Sequence, residues 1–155
     1  VIDEQELLEL AEAVVRENPV GLLSTVDAEG TPRSRYMGAA VGDRGLKRVL
    51  AVSAKNARKL EQINGNPRVC WVFSAPHAEE VVTLLGTASV VEQTRAMPLW
   101  ERLTEIAARW SMTVLSDPEN LWFIGLECRI DTVEYLNPAR DVTRPQIVTL
   151  EGQGL

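Results

Sequence analysis

From residue 20 to residue 136 the chain is mostly a run of short apolar segments broken by turn-forming residues. This constrains the fold more than any other feature, because strands joined by short turns must pair antiparallel. Residues 20–26 form the first predicted strand, and Asp27-Ala-Glu-Gly30 is a hairpin turn in which Gly30 supplies a positive φ. The returning strand covers about 31–41, and Gly42-Asp-Arg-Gly45 turns the chain into a strand over 46–53, completing a meander. Further strands are expected at 68–75, 80–92, 121–126 and 129–136, with Gly86 marking a bulge or a close backbone approach.

Three helices accompany the strands. The first precedes residue 20, with Asp3 as N-cap, Glu6 as its capping-box partner, and Asn18-Pro19 as its end. The second is short, at roughly 54–64, and is closed by Gly65. The third covers about 95–110, with Pro98 in its first turn and Leu99, Trp100, Leu103, Ile106, Ala107 and Trp110 as its apolar stripe. These elements predict one mainly β domain over residues 1–155, a six- to seven-stranded antiparallel barrel with flanking helices. Its core spans about 20–136, its N-terminal helix 1–18, and a polar, loosely held tail 137–155.

Composition narrows the function. A net charge of −6 argues against generic nucleic-acid binding, which requires a basic footprint. One histidine and two cysteines do not make a structural zinc site. Cys70 and Cys128 each lie in an apolar run and are expected to be buried thiols. No stretch approaches the ~20 apolar residues that span a bilayer. No signal peptide is visible in the residues given, and a cytoplasmic location is expected.

The segment that carries chemistry leaves a strand at Ser53 and enters a helix. In a helix starting near residue 54, Lys55, Arg58 and Lys59 share one face of the first turn. A helix N-terminus carries roughly +0.5 charge, so cations are misplaced there unless an anion joins them. Ser53 would add a hydroxyl donor. The competing reading is a solvated helix face, with Glu61 pairing to Arg58. A second cluster lies in Thr31-Pro-Arg-Ser-Arg-Tyr-Met37, where Arg33 and Arg35 point to one side of the strand. They either need anionic partners or guard an edge strand. His77, in its turn, is a proton carrier or a solvated turn residue. No nucleophile–base pair and no paired catalytic carboxylates are evident, as expected where a cofactor carries the reaction.

Gly30-Thr-Pro-Arg-Ser-Arg35, the strand ending at Ser53, Arg58-Lys59 and Asn66-Pro67 together resemble the flavin-binding signature of the pyridoxamine 5′-phosphate oxidase-like split barrels. Gly86 within its strand and Val133-Glu-Tyr135 fit the same pattern, and the helix expected at 95–110 is more similar to the general-stress-protein branch. The resemblance implies flavin mononucleotide (FMN) as cofactor and a homodimer with the flavin at its interface. Arg35, Arg58 and Lys59 would hold the phosphate, and the backbone of Tyr36 and Met37 would follow the ring. Val52 and Ser53 would form the strand end that touches ring and phosphate. Lys55 is added from helix geometry alone. Trp100, Trp110 and Trp122 are either core residues or contributions to a partner's site. Two departures stand out. No histidine follows Tyr135, so oxidation of pyridoxamine phosphate is not expected. Val81 stands where the family often has glutamine. The resemblance implies a flavin-dependent oxidoreductase. The alternatives are a flavin binder without turnover, or a split barrel that takes haem or a deazaflavin.

Overall fold

A computed structural model describes residues 2–42, 45–92 and 123–150. The expected helix at 95–110, with Trp100 and Trp110, lies outside them, as do Trp122 and the middle of the turn at 42–45.

Helix α1 covers Glu4–Glu17. The Asp3 carboxylate accepts from Glu6 N at 2.9 Å. The reciprocal half of the expected capping box is missing, because the Glu6 carboxylate pairs instead with Arg140 at 3.3 Å. Leu7, Ala11, Val14 and Val15 form the buried stripe of α1.

The strands are β1 (Val20–Val26), β2 (Pro32–Gly38), β3 (Ala40–Gly42), β4 (Gly45–Ala54), β5 (Arg68–Ser74), β6 (Val81–Val91), β7 (Phe123–Asn137) and β8 (Val142–Thr149). A second helix, α2, covers Arg58–Gly65 between β4 and β5. Helix α1 packs against the five strands β3 to β7. The described strands form one antiparallel sheet in the order β2-β1-β5-β6-β7-β4-β3, with β8 added on β7. The two ends of this order, β2 and β3, are consecutive in the chain and are separated only by Ala39. One bent strand thus gives its first half to β1 and its second half to β4, and the covalent chain closes the sheet into a barrel. Alternation along each strand sends one set of side chains inward. Leu23, Val49, Trp71, Phe73, Val82, Leu84, Leu126, Cys128, Ile130, Val133 and Tyr135 fill the interior. Trp71 stacks on Phe73 with ring centroids 5.4 Å apart, and its Nε1–H donates to Cys128 Sγ at 3.4 Å.

Four expectations are corrected. The strand at 31–41 is two strands, since the small residues Gly38, Ala39 and Ala40 let the chain bend between neighbours. The pair at 121–126 and 129–136 is one strand from residue 123, because Glu127 and Arg129 alternate outward between buried Leu126, Cys128 and Ile130 rather than forming a turn. Up to residue 150 the tail is not loose: β8 pairs with β7, and Val142, Val148 and Leu150 are buried. Finally, α2 starts four residues later than expected, because β4 continues to Ala54 in register with Phe123.

Gly86 sits where the β6–β7 register shifts, and a Cβ there would lie 1.9 Å from the Arg129 carbonyl oxygen. The constraint is backbone against backbone, so no rotamer change relieves it. Gly86→Ala is expected to destabilise the fold by about 3 kcal/mol, at the upper end of overpacking effects; denaturant unfolding measures this.

Candidate anion-binding site

The site begins with Arg35. Register places it opposite Leu23, on the inward face of β2 near the sheet edge, where it is only partly withdrawn from solvent. Its Nη1 donates to Leu23 O at 3.2 Å and to Thr25 Oγ1 at 2.8 Å, and its Nη2 donates to Gln62 Oε1 at 3.1 Å. Buried Thr25 also donates to Gln62 Oε1, at 2.6 Å. Every acceptor is neutral. A guanidinium has five N–H donors, so Nε–H and one Nη2–H have no acceptor among the described residues.

Helix α2 brings two more cations. Arg58 is its first residue, exposed, and Lys59 follows, half-buried. Burial, and then the Arg58 charge, lower the pKa of Arg35. Burial, and then the Arg35 charge, lower that of Lys59. Arg35 therefore lies within electrostatic reach of both helix cations. None forms an ion pair among the described residues, and Glu61 does not close on Arg58. The helix start is also uncapped. Ala57 offers no side-chain acceptor, and the Arg58 and Lys59 amides have none among the described residues. Cations and N–H donors thus gather at the start of α2, and no carboxylate among the described residues closes on them. Such a donor set is suited to a phosphate.

The remaining predicted residues separate. Arg33 is not part of the cluster, since Asp27 accepts from its Nε at 3.0 Å. Lys55 is exposed in the turn before α2, so the helical-face argument that included it does not apply. Ser53 is buried and donates to Ala54 O at 3.1 Å. Val52 is buried beside it, and the Met37 side chain belongs to the core. Tyr36, one residue from Arg35, points to the opposite face and is 77% exposed. Sequence reasoning missed Thr25 and Gln62. Thr25 was visible as a polar residue at an inward position of β1, and Gln62 as the residue one turn beyond Arg58.

These features define a mainly β split barrel with a cluster of cationic side chains where β2 is tied to α2 through the Arg35–Gln62 hydrogen bond. The chain belongs to the pyridoxamine 5′-phosphate oxidase family, which it matches over residues 7–137. Solved structures agree on the fold. General stress protein 26 of Bacillus anthracis is 23% identical with a TM-score of 0.72, over 93% of this chain and 98% of that one. A pyridoxamine 5′-phosphate oxidase-related, FMN-binding protein of Nostoc punctiforme is 15% identical with a TM-score of 0.70, over 98% of both chains. A haem-binding protein of Mycobacterium smegmatis is 18% identical with a TM-score of 0.73, over 96% of this chain and 60% of that one. No curated protein matches the sequence. No helix among the described residues is long and apolar enough to cross a membrane.

Lys59 gives a test that needs no ligand. Its folded-state pKa is lowered, so the charged lysine opposes folding, and this penalty fades as pH rises through that depressed value. Lys59→Met keeps the apolar stem and removes the charge. It is expected to raise the melting temperature of the ligand-free protein at pH 7, with the gain shrinking at alkaline pH. Calorimetry across that range reads both effects.

Proposed function

We propose that this chain binds FMN, with the phosphate held by Arg35, Arg58 and Lys59, and serves as a flavin-dependent oxidoreductase. The observation that carries this reading is that Arg35 and two cations of an uncapped helix start come together with no ion pair among the described residues, in a chain of net charge −6. Gln62 and Thr25 hold the Arg35 guanidinium in place. In this reading the backbone of Tyr36, Met37, Val52 and Ser53 borders the ring. Bound flavin supplies hydride and electron transfer, which this chain's own residues do not. Arg140 is engaged with Glu6, in keeping with a substrate other than pyridoxamine phosphate. A haem reading would need an axial ligand, and the sole histidine, His77, is exposed in a turn at φ 61°.

We infer that the working form is a homodimer. The outward faces of six strands align in one cross-strand row: Tyr36, Leu22, Val72, Thr83, Glu134 and Ile147. Tyr36 and Ile147, 77% and 59% exposed, are the large exposed hydrophobics among the described residues, and they mark the ends of that row. The adjacent row, Ser34, Ser24, Cys70, Leu85, Thr132 and Thr149, carries no charge. A second copy would cover this surface, and Tyr36 would bring the interface to within one residue of Arg35.

Purified protein is expected to be yellow and to release FMN on heating, identified by mass spectrometry. Arg58→Gln with Lys59→Gln should weaken FMN binding by about 3 kcal/mol or more, over a hundredfold, from loss of two charge-assisted contacts. Arg35→Gln should act in the same direction, and circular dichroism should show all variants folded. Unchanged flavin content would refute the assignment. Tyr36→Glu places a charge within the proposed interface and is expected to give monomers in sedimentation velocity. A wild-type chain that sediments as a monomer at micromolar concentration would refute the dimer.

A further inference from the structure

A cleft of about 630 Å³ opens between the β1–β2 turn and α2. It shares two wall residues with the cationic cluster, Arg58 and Gln62. Its other charged walls are Asp27, Glu29 and Glu61. Their states differ. Asp27 is fully engaged, accepting from Thr31 N at 2.8 Å, Glu29 N at 3.0 Å and Arg33 Nε at 3.0 Å. Glu29 and Glu61 are exposed and form no ion pair among the described residues. Glu61 lies three residues beyond Arg58 on α2, a spacing that puts their Cβ atoms about 5–6 Å apart.

Consider a phosphate held at Arg35, Arg58 and Lys59. Arg58 is then matched by the ligand and Asp27 by Arg33, which leaves Glu29 and Glu61 as uncompensated charges in the cleft. Anything covalently attached beyond the phosphate and running along α2 toward the turn enters a negative field. A ligand ending in a single phosphomonoester stops short of it.

Resting on the FMN reading, we propose that Glu29 and Glu61 are specificity-determining residues. They reject ligands whose negative charge continues past the first phosphate, such as dinucleotides and cofactors with oligoanionic tails. The basic cluster sets the affinity for the phosphate, and the cleft's carboxylates set the permitted length of the anion. Neither carboxylate is a phosphate ligand in this arrangement, so their removal shifts the ratio of the two affinities more than the affinity for the phosphate itself.

FMN and flavin adenine dinucleotide carry the same ring and differ in the group attached beyond the first phosphate, which makes them the probes. Binding of each to the full-length apoprotein is measured by quenching of flavin fluorescence, for the wild type and for Glu29→Gln with Glu61→Gln. The wild type is expected to prefer FMN. The double variant should bind the dinucleotide roughly five- to tenfold more tightly, the size expected for two partly screened like-charge contacts. Its FMN affinity should rise by a smaller factor, since Glu61 lies close to Arg58 but neither carboxylate is a ligand of the first phosphate. The inference is overturned, and the FMN reading kept, if the wild type binds both flavins equally or the variant leaves their ratio unchanged. A wild type that binds neither flavin overturns both.

Discussion

A guanidinium partly removed from water, with only neutral acceptors among the described residues, is an unstable arrangement in an otherwise ordinary barrel. Partly buried charges are normally paired, because desolvation of the charge is costly. Arg35 is held instead by a carbonyl, a hydroxyl and an amide oxygen. Those partners keep its orientation without cancelling its charge. Arg58 and Lys59 then add like charges from the start of α2. The protein keeps an electrostatic tension that an anion would relieve, and the surrounding elements serve to maintain it. Strand β1 supplies Leu23 and Thr25, β2 supplies Arg35, and α2 supplies Gln62 with both remaining cations.

The geometry of that site is a consequence of how the barrel closes. The bend at Ala39 lets one stretch of chain pair with β1 and then with β4. Strand β4 runs on to Ala54 and delivers the chain to α2, which packs against β1 and β6. The cations from β2 and α2 meet because both elements are fixed to β1. On the far side, the 15 residues of β7 pair with β4, β6 and β8 in turn, with Gly86 allowing the close approach to β6. The long strand and the bend are two answers to one requirement, that a sheet of short strands curve until its ends meet.

Much of this was legible in the residues. The hairpin at Asp27–Gly30 could be read because turn chemistry is local: the Asp27 carboxylate accepts from Thr31 N and Glu29 N, and Gly30 has φ 80°. Apolar segments bounded by turn residues identified β1, β5 and β6. The bend at Ala39 could not be read, because small residues permit a change of partner without requiring one. Strand β8, polar outward and interrupted by Pro145, has an edge-strand composition that also suits a loop. The site was half legible. The cations at 35, 58 and 59 announced themselves by their position, yet Arg33 and Arg35 look equivalent in sequence. Their fates diverge because the Asp27 carboxylate, in the turn, reaches one and not the other. Gln62 offered only its place one turn beyond Arg58, a weak signal, since an amide on a helix surface is commonplace until the strand opposite is known.

Arg35 and Tyr36 are neighbours in the chain and face opposite sides of β2. Their side chains share one stretch of backbone, so a surface that holds Tyr36 also fixes the backbone from which Arg35 reaches inward. One strand thus carries a residue for each side of the sheet, and neither side can be repositioned alone.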